Sequence, residues 1–354
     1  MLILLLACDE PSTVKNGSPV DSAGDQDPDG ETDTVDTVDS EPPEDTEDTE
    51  DTEHTDDTDD TPVDSGDSAE PEPEPVIARF VALGDAGEGN SDQYAVADVI
   101  KTVCDAQGCD FALYLGDNIY DSGVDGPDDA QFQEKFELPY AELDFPFYVV
   151  LGNHDYGGDG AGYEFWKGPY QVEYTDYSEK WTMPDEYYTV SLGELDIFGL
   201  DTNSIFWGFG NEQGTWLTSV LNASAARWKI VFGHHCYRSE GQHGNAGEYE
   251  GFEWLPIANG AAVEEFFDAN IRGQADAYFA GHDHLREWIE AVDGTELIVS
   301  GAGAKTTDLV GRGNTTWFES EVEGFAWVMI QGEQMTVEFW DKDGAMNYTR
   351  TFTR

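Results

Sequence analysis

Five blocks of this chain set a glycine directly before Asp, Asn or His, and all but the first gather further Asp, Asn, His or Tyr residues behind it. Four of those five glycines close a short apolar run that reads as a buried strand. The blocks are Gly84-Asp85-Ala86-Gly87, Gly116-Asp117-Asn118-Ile119-Tyr120, Gly152-Asn153-His154-Asp155, Gly233-His234-His235 and Gly281-His282-Asp283-His284. The runs ahead of them (76–83, 111–115, 147–151, 228–232 and the short 277–280) are rich in Val, Ile, Phe, Leu and Tyr. Runs of that length are typical of strands, and their largely apolar character, broken only by Arg79 and Lys229, predicts burial on both faces, as in a parallel sheet. Between the first two, residues 92–104 place Tyr94, Val96, Val99, Ile100 and Val103 on one helical face. Residues 129–143 read as a second helix, interrupted near Pro139. Strand–helix–strand–helix–strand predicts βαβ units and an α/β fold.

Further along, alternating strands are expected near 187–192 and 195–200, and helices near 213–222 and 261–271. The C-terminal third (296–299, 324–331, 335–340, 346–352) is strand-rich and is expected to form a second sheet packed on the first. The aromatic stretch 156–188 is too long for a plain connector and is expected to wall a site.

The folded part does not start at the first residue. Residues 9–75 hold 27 acids, one lysine (Lys15) and no aromatic residue. Such a segment cannot bury enough apolar surface to offset the entropy of ordering it, so a disordered acidic tether is expected. The run Pro71-Glu72-Pro73-Glu74-Pro75 stiffens its end and marks the boundary of a domain spanning 76–354. That domain still carries 48 acids against 15 Lys and Arg residues. The balance argues against nucleic acid or an anionic membrane surface as partners, since both require cationic protein.

Residues 1–8 are too short to span a bilayer. Leu5-Leu6-Ala7-Cys8 resembles a bacterial lipoprotein box, which predicts export and lipidation of Cys8 on the cell envelope. The alternative is a soluble secreted or periplasmic protein. Export implies an oxidising compartment. Cys104 and Cys109, five apart, are expected to form a disulfide, leaving Cys236 as a free thiol.

The chemistry lies in the five blocks. Asp85 or Asp117 alone reads equally as a turn residue capping the next helix. Gly-Asp-Asn-x-Tyr is rarer, because it sets a phenol three residues after a carboxylate. In the third block Asn153 offers a neutral oxygen, His154 a proton or lone pair, and Asp155 is expected to orient the imidazole. In the fifth, two imidazoles flank a carboxylate. Six of the seven His residues fall in or beside these blocks, and the seventh, His54, lies in the tail. Oxygen and nitrogen donors delivered from successive strand ends are what a site for two metal ions requires.

In their order and spacing these blocks resemble the calcineurin-like metallophosphoesterases. Tyr120 makes the chain similar to the purple acid phosphatase branch, of the small tartrate-resistant type. The resemblance covers residues 76–354 and implies a four-layer αββα sandwich of two mixed sheets flanked by helices. It implies that Asp85, Asp117, Tyr120 and His284 hold a ferric ion. Asp117 would bridge to a divalent ion (iron, zinc or manganese) that also takes Asn153, His234 and His282. A metal-activated hydroxide would attack the phosphorus of a small phosphate monoester. His154 would serve as general acid and substrate ligand beside Asn153. His243, nine residues after His234, would bind substrate and share the acid role. Arg238 is expected to grip a phosphate oxygen. The chain departs from the family pattern at Cys236, where Pro is frequent. A monomer is expected, with membrane contact only through the lipid anchor. Two rivals stay open: the same fold acting on phosphodiesters, nucleotides or phospholipids with two divalent ions, and a surface binding protein that keeps the metals for structure.

Overall fold

The computed structural model describes residues 74–251 and 254–354. The expected lipidation at Cys8 and the body of the acidic tether lie outside the described residues. No helix among the described residues is long and apolar enough to cross a membrane.

Two seven-stranded mixed sheets form the centre. The first is built on β1 (Val76–Leu83), β2 (Phe111–Leu115) and β3 (Phe147–Val150), with the two-residue β4 (Trp181–Thr182) at its edge. These four run parallel. The second is built on β6 (Leu195–Gly199), β7 (Trp228–Phe232), β8 (Ala277–Ala280) and β10 (Thr295–Ser300), also parallel, with β5 (Tyr188–Leu192) antiparallel at its edge.

The C-terminal third does not form a sheet of its own. β9 (Arg286–Val292) and β11 (Thr316–Ser320) extend the second sheet beside β10. In contrast, β12 (Gly324–Gln331), β13 (Gln334–Asp341) and β14 (Met346–Thr353) extend the first, with β12 antiparallel to β1. Alternating hydrophobicity says that a strand has two unlike faces. It does not say which edge the strand joins.

Side-chain alternation sorts the layers. Ile197, Ile230, Phe232 and Phe279 pack with Phe80 and Leu113 between the sheets. Their neighbours Phe198, Val231 and Tyr278 face a separate cluster beneath α3 (Thr202–Phe206), α4 (Asn211–Ala223) and α5 (Ala261–Asn270). On the other side, α1 (Ser91–Gln107) buries Val96, Ile100 and Val103 against the first sheet. Its N-cap is Asn90, whose side chain accepts from the backbone of Asp92 and Gln93. The fold is therefore the expected helix–sheet–sheet–helix sandwich. Cys104 and Cys109 are joined at a Cα separation of 5.1 Å, closing the turn between α1 and β2.

Two expectations shift in detail. The helix expected over 129–143 is reduced to a single wide turn at Gln133–Glu137. Within the aromatic stretch, α2 (Gly168–Tyr174) and Trp181 are core. Tyr174 stacks on Phe132 at 3.6 Å, so most of this stretch packs the edge of the first sheet and only its start approaches the site.

Candidate metal centre

Parallel strands deliver their C-terminal ends to one edge, and here both sheets do so at the same place. Asp85 N–H donates to Gly116 O (3.0 Å), Gly84 N–H to Ser300 O (2.8 Å) and Gly281 N–H to His234 O (3.0 Å), stitching the strand ends together. In open α/β sheets this edge is where ligands bind.

Three of the expected metal ligands leave their strands abruptly. Asp85 (φ 55°), Asp117 (φ 51°) and His282 (φ 71°) all adopt left-handed backbone, each directly after its block glycine. Asp and His tolerate this region better than most residues, but at a cost that marks functional sites. The glycines permit the crowding. A Cβ on Gly152 would lie 2.2 Å from Asp117 Oδ1, and one on Gly281 would lie 2.4 Å from Asp85 Oδ2.

The result is one connected cluster of buried donor atoms. Tyr120 OH lies 3.1 Å from Asp85 Oδ1, 3.0 Å from Asp117 Oδ2 and 3.2 Å from His284 Nε2. Ligand atoms of Asp85, Asp117 and His284 lie within 4.8 Å of one another. On the other side of Asp117, its Oδ2 is 3.4 Å from His234 Nε2. That nitrogen is 2.9 Å from Asn153 Oδ1 and 3.1 Å from His282 Nδ1. The seven residues thus form two groups that share Asp117. One is rich in anionic oxygen and the other in imidazole, which fits two cations of different hardness.

Electrostatics supports the fit. Burial, followed by the carboxylates of Asp117 and Asp85, drives the Tyr120 phenol well above its ordinary value. A phenol held beside two carboxylates becomes a phenolate only if positive charge enters the cluster. Burial pushes His234 down, but Asp117 and Asp85 outweigh it and raise His234 to about 9. Burial pushes Asp117 up, but His234 and His154 carry it well below the usual carboxylate range. Within the cluster the positive charge that offsets Asp117 and Asp85 is drawn toward His234, whereas burial and the neighbouring imidazoles hold His282 well below its ordinary value.

Two histidines flank the cluster. The His154 Nδ1–H donates to Asp121 O at 2.7 Å, and its ring lies 4.4 Å from that of Tyr120. His243 stacks on His282 with ring centroids 4.0 Å apart, and its Nδ1 pairs with Glu250. Its loop is braced by Asp283, which accepts from the backbone of His243 (2.8 Å) and Gly244 (2.9 Å). His235 is held through Nδ1 by a neighbour outside the cluster. Thr202 Oγ1 accepts from the backbone of His234 and His235, so its own proton goes to His235 Nδ1, 2.9 Å away.

Two expected roles are corrected. Asp155 does not orient His154. Its buried carboxylate accepts from the backbone N–H groups of Gly152, Asn118 and Ile119 and from Gln171 Nε2, which braces the second and third blocks together. Arg238 is engaged elsewhere: its guanidinium lies over the Tyr237 ring and donates to Glu264, Tyr237 and Ala246 O. The sequence reading missed Asp283, Thr202 and Gln171 as supports. Asp283 alone left a signal, as the carboxylate between two imidazoles.

The model of the calcineurin-like phosphoesterase family matches residues 78–286. Purple acid phosphatase 3 of Arabidopsis thaliana is 30% identical over 75% of this chain and 75% of its own. Tartrate-resistant acid phosphatase type 5 of Sus scrofa is 27% identical over 77% of this chain and 85% of its own. Among solved structures, GAP50, the anchor in the inner membrane complex of Plasmodium, superposes with a TM-score of 0.62 at 22% identity. That match covers 78% of this chain and 88% of the other, and it shows the fold alone.

Proposed function

The chain belongs to the calcineurin-like phosphoesterase family, and from that premise we propose that it hydrolyses phosphate monoesters as an acid phosphatase with two metal ions. The observation that carries the reading is the convergence of seven donor side chains around the shared carboxylate of Asp117. Asp85, Asp117, Tyr120 and His284 would hold a ferric ion. Asp117, Asn153, His234 and His282 would hold a divalent one. When bound, the cations supply Lewis acidity toward the phosphoryl group and lower the pKa of the attacking water.

The residues around them handle the proton and the substrate. With Nδ1–H fixed on Asp121 O, His154 has Nε2 left to protonate the leaving oxygen. Burial outweighs the pull of Asp117 and holds His154 below its ordinary value, so its donating form accumulates on the acid side. His243 moves the other way: burial lowers it, but Glu250 and Asp283 raise it overall. A histidine that stays cationic suits binding of an anionic substrate, and one that gives up its proton readily suits acid catalysis. The acidic exterior favours a small phosphorylated substrate over a polyanion. The Cys104–Cys109 disulfide fits an exported protein, which we propose is a monomer lipid-anchored through Cys8.

The test is the pH–rate profile of the metal-loaded full chain on a p-nitrophenyl monoester and the matching diester. A monoester preference with an acidic optimum is expected. Diester preference at neutral or alkaline pH would refute the reading. Tyr120→Phe should bleach the visible ferric–phenolate band, and an unchanged spectrum would remove Tyr120 from the ligand set.

A further inference from the structure

A cation reaches this site from a segment outside all five blocks. β10 ends at Ser300 at the same edge as the ligand-bearing strands, and residues 301–307 follow without regular structure. The segment is tied to the ligand loops. Gly303 N–H donates to Gly84 O (3.0 Å), Thr307 N–H to His284 O (3.1 Å) and Asn90 Nδ2 to Ala304 O (2.9 Å). Between these anchors Lys305 places its Nζ 3.5 Å from the centroid of the Tyr120 ring. The same ammonium lies 3.0 Å from Glu88 Oε1, on the loop that follows Asp85. Both side chains are half-buried, 22% and 26% exposed, so the pair sits at the mouth of the site rather than beneath it.

Two other lysines stand near this loop, and their use differs. Lys135 donates to Tyr120 O and Lys167 to Ser122 O, so both hold backbone in place. Lys305 holds no such carbonyl among the described residues. It rests on the face of a proposed metal ligand and pairs with a carboxylate that can let it go. In a domain with 48 acids and 15 Lys and Arg residues, an ammonium kept beside an anion-processing site runs against the composition. Lys has three donors on a flexible stem, and Glu88 with the ring face leaves capacity for a further acceptor.

We propose that Lys305 is a phosphate-binding residue: its ammonium transfers from Glu88 to a non-bridging oxygen of the bound phosphomonoester, and Glu88 is the counter-ion that parks it between turnovers. This rests on the phosphatase reading of the same site and extends it to specificity. A monoester dianion offers one more charged non-bridging oxygen than a diester, so Lys305 favours monoesters.

The experiment measures the Kd of inorganic phosphate by calorimetry on the metal-loaded full chain, in wild type, Lys305→Met, Lys305→Arg and Glu88→Gln. Loss of one charge-assisted hydrogen bond predicts a roughly tenfold weaker Kd in Lys305→Met. Lys305→Arg should recover most of that loss, and Glu88→Gln should bind phosphate as tightly as wild type or more tightly. A purely structural ion pair predicts something else: Lys305→Met and Glu88→Gln lower the melting temperature alike and leave Kd within about twofold, which overturns the proposal. Lys305→Arg binding as weakly as Lys305→Met also overturns it. Wild type that binds no phosphate refutes the phosphatase reading first, and the inference falls with it.

Discussion

Asp155 offers the sharpest test of how this site is built. Its carboxylate is fully buried and accepts four donors: Gly152 N at 2.8 Å, Asn118 N at 3.0 Å, Ile119 N at 3.1 Å and Gln171 Nε2 at 2.8 Å. Asp155→Ala leaves all four without that acceptor inside the protein. Each orphaned buried donor costs about 1–3 kcal/mol, and relaxation of neighbouring loops keeps such terms from adding fully. The carboxylate is itself costly to bury: desolvation, then Asp117, lifts it to about 7, which offsets part of the loss. A net destabilisation of about 4 kcal/mol is expected, or roughly 8–16 °C in melting temperature for a domain of this size. Asp155→Asn keeps one acceptor oxygen and should lose about half as much. The assay is thermal denaturation of the metal-stripped full chain followed by circular dichroism. A drop of less than about 2 °C in Asp155→Ala would refute the bracing role. Were Asp155 instead orienting His154, Asp155→Asn would keep its stability and displace the pH–rate profile.

Other consequences are as direct. His234→Ala removes a donor from the imidazole-rich group, so metal per chain should fall from two to one by elemental analysis; two retained ions would take His234 out of the ligand set. Burial, then Asp201, lifts Glu186 from the ordinary 4.5 to about 7. Its contribution to stability is therefore intact below about pH 4.5 and is lost as pH rises through 7. Glu186→Gln should melt with wild type at pH 4 and above it at pH 8, and equal melting at pH 8 would contradict this. Opening the short Cys104–Cys109 loop with Cys104→Ser should cost about 2 kcal/mol by loop-closure entropy, read from urea denaturation. A loss under about 0.5 kcal/mol would show that the turn is already ordered in the unfolded chain.

What the chain discloses without a structure follows from local demands. Short polar donors crowded at strand ends need glycine for close approach, and at Asp85, Asp117 and His282 they also adopt left-handed backbone, so the expected ligands Asp85, Asp117, Asn153, His234, His282 and His284 were legible as a set. Strand and helix positions were legible for the same reason, because periodicity is a property of consecutive residues. What only the tertiary structure decided depends on which strand ends meet. The pairing of β12 with β1 joins residues about 250 apart and sends the C-terminal hairpins to the first sheet. Asp155 reads in sequence as a partner of the adjacent His154, yet its acceptors are claimed by loops that the sheet order brings to it. Arg238 looks like an anion binder until α5 presents Glu264. Lys305 carries no motif, and its place over Tyr120 exists only because β10 ends at the same edge as β1 and β2. Donor identity is written along the chain, whereas the partner each donor meets is a consequence of packing two sheets edge to edge.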